Sequence, residues 1–177
     1  MERRLFFWEL GGFLFTGALG TLLHFVYEWS GGSMLAGAFS AVNESTWEHM
    51  KMLFVPIFLC SVVQVCLTGR NYPDLPAVRA VSALTGLALI PVLFYTYTGI
   101  LGRDVVWADI AIFFLADLGA FSLDFALLRR GRLSSGWQQI LGLAVLWGLA
   151  FCFVWCTFRP VRLPLWQDPV TGIYGIP

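Results

Sequence analysis

The chain has 177 residues, of which 58% are hydrophobic and 12% charged, with eleven basic residues against eleven acidic ones. About one-quarter of an average soluble domain is charged, so there is too little charge here to coat a water-soluble globule. A net charge of zero, with no basic patch, also excludes a nucleic-acid-binding surface.

What remains is an integral membrane protein. Runs of about 20 apolar residues match the hydrocarbon core of a bilayer. Lipid offers no partner to an open strand edge, so such runs cross as helices. The expected fold class is therefore all-α: a single domain over residues 1–177, built as an integral membrane bundle of five transmembrane helices.

The first predicted span covers Leu5 to Tyr27, behind Arg3 and Arg4. Its apolar run is too long for the core of a signal peptide, so it reads as a retained helix. Gly12, Thr16, Gly20, His24 and Glu28 recur every fourth residue along it and form one slowly drifting row. The first three are small, as close helix packing in lipid requires, and the row then turns polar at His24 and Glu28.

The second span, Trp47 to Leu67, is preceded by "AVNESTWEHMK". Ser45-x-x-Glu48 has the form of a capping box, in which the Ser oxygen takes the amide three residues on and the Glu returns to the Ser amide. Trp47 reads as an anchor at the membrane–water interface. Lys51 lies three residues after Glu48, within pairing range on a helix. Capping gives no role to Asn43, Glu44 or His49.

"RNYPDLP" turns the chain into the third span, Ala77 to Thr98, and "LGRD" into the fourth, Val105 to Leu128, with Asp104 as its expected N-cap. Asp109, Asp117 and Asp124 descend the fourth span within an arc of about 80°. Asp109 has Arg103, Lys51 and His24 as candidate partners, whereas Asp124 and Glu9 are expected to meet inner arginines. Asp117 falls near mid-membrane, where a carboxylate must be protonated, paired or facing a hydrated cavity. "RRGRLSSGW" leads to the fifth span, Trp137 to Phe158, with Ser135 and Gln138 in capping-box spacing. Cys60, Cys66, Cys152 and Cys156 all lie in apolar runs without a CxxC pair and read as small buried hydrophobes.

A cytoplasmic N-terminus puts seven cations inside (Arg3, Arg4, Arg70, Arg79, Arg129, Arg130, Arg132) and four outside (Lys51, Arg103, Arg159, Arg162). The bias favours that orientation, with the C-terminal tail extracytoplasmic. The tail, residues 159–177, is too apolar for a solvated end. It is expected to fold back over the outer mouth, bringing Asp168 and Tyr174 towards the polar cluster, or else to lie flat in the interface.

On this topology the polar chemistry gathers at the outer end. His24 and Glu28, four apart on one helix, have spacing compatible with metal ligation, with Glu44, His49 and Asp109 in reach of the same mouth. A divalent metal is one reading, although no HExxH and no His pair at four-residue spacing is present. Glu44, His49 and Asp117 are the candidate catalytic groups; Asn43, Lys51 and Asp109 are the candidate ligand contacts. Three functions stay open: an enzyme acting on a lipid or small amphiphile at the outer leaflet, a transporter or channel component using Asp117 and Asp109, and a structural accessory subunit. Membrane lipids are the expected surroundings, and a second copy of the chain is a candidate partner.

"VNESTWEHMK", the upstream "LHFVYEWSG" and the tail "DPVTGIYGIP" resemble a family of small bacterial multi-pass membrane proteins of unknown function. The resemblance spans the whole chain, and the NES-x-WEH-x-K block is its most specific part. It implies a bacterial cytoplasmic membrane and assigns no activity, so it assigns no catalytic residue either.

Overall fold

A computed structural model describes residues 2–176. Among them are six α-helices: α1 (Glu2–Trp29), α2 (Met34–Gly37), α3 (Thr46–Thr68), α4 (Leu75–Leu101), α5 (Val106–Arg130) and α6 (Gly136–Phe158). A single 3-10 turn follows at Pro164–Trp166. All but α2 are long and apolar enough to cross a membrane. The five expected spans are therefore present, with ends shifted by a few residues, and the protein is a multi-pass membrane protein.

Loop chemistry explains most of the ends. Pro76 sits in the first turn of α4, where its missing N–H and fixed φ do no harm. Gln138 returns its side-chain oxygen to the Ser135 amide at 3.2 Å, closing the capping box of α6. Helices α4 and α5 stop at Gly102 (φ 69°) and Gly131 (φ 58°), left-handed positions that suit glycine. Asp104 is not the cap of α5. The N-cap is the next residue, Val105, whose amide donates to the Tyr97 hydroxyl at 3.0 Å, so a tertiary contact replaces the side-chain cap.

Helix α4 packs on α5, α6 and α3, and α1 closes the bundle against α3 and α5. The core joins Leu53, Phe54 and Ile57 of α3 to Ala83 and Leu87 of α4, Ala116 and Ala120 of α5 and Phe153 of α6. Large apolar side chains such as Leu14, Leu115 and Phe151 face outward, as they do in helices surrounded by lipid. Small residues set the closest approaches. Gly12 lies against the Phe121 ring and Gly20 against the Met52 carbonyl, so the small half of the α1 row is a packing face.

One buried cation gathers two acids inside the bundle. Arg79 of α4 is 2% exposed. It reaches Asp124 at 2.6 Å and Glu9 at 3.4 Å, and donates to the Gln64 oxygen at 2.5 Å. Both carboxylates thus meet a basic residue, as their burial demands.

The close approach of α6 to the backbone of α4 offers a test. A methyl group on Gly142 would lie 2.6 Å from the Pro76 carbonyl oxygen and 2.7 Å from Ala77 backbone atoms, which have no room to yield. Gly142→Ala is expected to cost about 1–3 kcal/mol. Gly148 on the same helix has nothing within 4 Å of that position, so Gly148→Ala should be neutral or stabilising by up to about 1 kcal/mol. Unfolding of both variants in detergent measures the contrast.

Candidate functional site

The segment before α3 begins as an interlocked turn. Asn43 accepts the Ser45 amide at 2.9 Å, a side-chain turn typical of Asn. Ser45 then caps α3, its hydroxyl accepting the Glu48 amide at 3.4 Å. The return arm of the expected capping box is absent, because Asn43 already holds the Ser45 amide. Glu48 turns inward instead and accepts from the Val42 amide at 3.2 Å.

Glu48 has a stronger reason to face inward. Lys51 has no exposed surface, and a buried ammonium needs an anion and acceptors for all three of its protons. Those acceptors are Glu48 at 2.5 Å, the Gly37 carbonyl at 2.8 Å and the Thr157 hydroxyl at 2.8 Å. Lys51 is thereby fully committed and has no proton left for a ligand, unlike the contact role expected of it. The pair also ties the end of α2 and the end of α6 to the start of α3. Its i,i+3 spacing was readable in the sequence; the third member, Thr157, lies unmarked in an apolar helix.

Trp47 is 7% exposed and lies between Phe153 and Trp166, with ring centroids at 4.5 and 4.7 Å. It is therefore not an anchor at the membrane surface: the Trp166 turn covers it. The tail also meets the Asn43 turn, where the Asn43 side-chain amide donates to the Gly175 carbonyl at 2.7 Å. The Asp168 carboxylate accepts the Val170 and Thr171 amides at 2.7 and 3.2 Å. Burial pushes this carboxyl up, but those amides, with the Thr171 side chain and the Glu44 amide, outweigh it and hold Asp168 below the usual carboxylate range. Asp168 therefore secures the backbone of Glu44.

On this base three ionisable side chains converge. Glu44 stands between two imidazoles, with its oxygens 3.6 Å from His24 Nε2 and 3.7 Å from His49 Nε2. The rings are 5.7 Å apart. One ligand-type atom from each residue lies within 4.8 Å of the others. His49 Nδ1 is 2.9 Å from the Ser45 carbonyl oxygen. A carbonyl only accepts, so Nδ1 carries a hydrogen and Nε2 is the ring nitrogen that faces Glu44. Such outer hydrogen bonds set the tautomer of metal-binding histidines.

The other candidates lie elsewhere. Glu28 is exposed, one turn beyond His24 on α1 and outside the three. Asp109 accepts from the Tyr97 hydroxyl at 2.5 Å; none of Arg103, Lys51 and His24 is its partner. Asp117 is wholly buried at the middle of α5, beside Gly17 of α1, seven residues before His24 and therefore about 10 Å deeper in the bundle. Two surface cavities open at the opposite end, around Arg3 and Arg4 and around Arg70 and Asn71, and neither is lined by the histidines. The His24–Glu44–His49 group is solvent-accessible, with Glu44 about half and each imidazole about one-third exposed.

Two outcomes are expected. Lys51→Met strands Glu48 and should cost about 3–5 kcal/mol, as for other broken buried pairs. Glu48→Gln/Lys51→Met should lose less than the two single changes together, as measured by a double-mutant cycle in denaturant. For Asp168 the folded carboxyl lies below its unfolded value. Its contribution to tail docking is therefore complete above about pH 4 and lost as pH falls through the folded value. Hydrogen exchange of residues 168–175 should rise in that acid range, and Asp168→Asn should abolish the transition.

The chain matches no curated protein and no solved structure. Over residues 5–176 it matches a family of unknown function. With five apolar helices and a match spanning nearly its whole length, the chain belongs to the family of unknown function DUF6512.

Proposed function

We propose that this protein is a metal-dependent membrane enzyme that hydrolyses a lipid or small amphiphile at the membrane surface, with His24, Glu44 and His49 as the metal ligands. The observation that carries this reading is the convergence of two imidazole nitrogens and a carboxylate within 4.8 Å, with His49 Nδ1 held by the Ser45 carbonyl and Nε2 left to face the group. Ligand atoms around a tetrahedral zinc ion are about 3.3 Å apart, given bonds of about 2.0–2.1 Å. The separations of 3.6 and 3.7 Å run to the two different oxygens of Glu44 and the three ligand atoms span up to 4.8 Å, so a bound metal would draw the side chains together.

Two His and one Glu form a donor set known from hydrolytic zinc sites, which keep a fourth position open for water. A metal bound there would supply a hydroxide nucleophile near neutral pH. Glu44 is half exposed and each imidazole about one-third exposed, so solvent reaches the group. Glu28, exposed on the next turn of α1, is the free carboxylate suited to take the proton. The adjacent Phe25 and Trp29 rings stack at 5.6 Å and are exposed, as aromatic residues are at headgroup depth. That favours a substrate presented by the bilayer over one held in an enclosed cavity.

Charge supports one orientation. Lys51 and Arg79 are buried in ion pairs and carry no topological weight. Setting them aside leaves six cations at the Arg3 end against three at the tail end. This supports a cytoplasmic N-terminus and an outward-facing site and tail in a bacterial cytoplasmic membrane. The transporter reading finds less support. Asp117 has no exposed surface, and Asp109 is held by Tyr97.

Purified full-length protein equilibrated with zinc and desalted should retain about one equivalent, as measured by elemental analysis. His24→Ala, Glu44→Ala and His49→Ala should each lower the affinity by roughly 10-fold or more, whereas Glu28→Ala should retain the metal. Equal retention by the wild type and all three ligand variants would sink the proposal.

A further inference from the structure

The interior of the bundle poses a separate problem of charge. Among the described residues, Lys51 and Arg79 are the buried cations. Lys51 is neutralised by Glu48 near the start of α3. Within the long helices that leaves Arg79 to balance three buried carboxylates, Glu9 (4% exposed), Asp117 (0%) and Asp124 (0%), since buried Asp74 and Asp168 lie outside those helices. Arg79 is an ion-pair partner of Glu9 and Asp124 only. Neither oxygen of Asp117 has a hydrogen-bond partner.

These groups lie in one region of the bundle. Asp117 and Asp124 are seven residues apart on α5, which puts them on the same face about 10 Å apart along the axis. Cys60 of α3 lies within electrostatic range of Arg79, Glu9 and Asp117. Each helix packed here contributes a polar group: Glu9 and Thr16 from α1, Gln64 from α3, Arg79 from α4. The Thr16 hydroxyl is fully buried and, like Asp117, has no partner. The Gly17 position beside it comes within 3.7 Å of an Asp117 oxygen.

We propose that Glu9, Asp117 and Asp124 form an intramembrane proton-binding site holding two protons at neutral pH, one on Asp117 and one shared by Glu9 and Asp124 across Arg79. Three ionised carboxylates beside one guanidinium would leave two uncompensated charges in a medium that cannot solvate them. Two protons make the assembly neutral. The Gln64 amide links Glu9 to Arg79, donating to Glu9 at 2.9 Å while its oxygen accepts from Arg79. The face of Phe121, 4.9 Å from the guanidinium carbon, further offsets its charge. Asp117, with no basic partner, holds its proton alone. The ligand is the proton itself, and the site is distinct from the His24–Glu44–His49 group.

Infrared spectroscopy of the full chain in lipid nanodiscs reads protonated carboxyl groups directly by their C=O stretch. The wild-type protein should show two such components near neutral pH. Asp117→Asn should remove one, with its unfolding midpoint unchanged because a neutral amide replaces a neutral acid. Asp124→Asn should remove the other. Wild-type protein isotopically labelled at its Asp and Glu carboxyls gives the same reading without any substitution. Loss of either component from the labelled wild type, or an Asp117→Asn spectrum identical to it, would overturn the proposal, as would neutralisation by sodium, which makes the bands vanish when sodium is added at constant pH.

Discussion

A lysine ammonium shut away from water must be met by an anion and by an acceptor for each proton, and the whole Asn43 end of the molecule is arranged around that demand. Lys51 draws on Glu48 one turn away, on the last carbonyl of α2 and on a hydroxyl near the end of α6. The link to Gly37 fixes where the α1–α3 connection runs. The link to Thr157 fixes how close α6 comes. With Glu48 turned inward, its neighbours Glu44 and His49 are left to face His24. The histidine group is thus a consequence of where the lysine is neutralised.

The same rule acts near the other end with a different result. There the fixed cation is Arg79, and its planar guanidinium can serve two carboxylates and an amide at once. One end balances a single acid against a single base. The other sets two acids on one base, with a third, Asp117, unpaired further along α5. The bundle therefore combines an electrostatically closed end with an interior that is neutral only if protons complete it.

Much of the architecture was legible because it follows from the solvent. Five apolar runs of spanning length had to be helices, and buried Glu9 and Asp124 had to find a cation. The misreadings share a cause: in each, the partner that holds the residue is not the one its sequence pattern suggested. Glu48 looked like a capping partner of Ser45, but Lys51 holds it. Trp47 looked like an interface anchor, but a turn more than a hundred residues later covers it. Asp109 was matched to charged partners, whereas a tyrosine hydroxyl on the preceding helix holds it. Glu44, His24 and His49 stood out by elimination. Which of the candidates meet depends on the path of the loop before α3, and a loop leaves no periodic trace in sequence.

The hydrogen bond from Asn43 to Gly175 joins residues 132 positions apart. During synthesis, all five long helices are therefore made before the second half of that contact exists. Until then the Asn43 turn has only its bond to Ser45, and the backbone of Glu44 lacks Asp168. The histidine group is thus among the last parts of the molecule to acquire its final geometry, so a chain interrupted after α6 would be an inserted bundle with an unfinished surface.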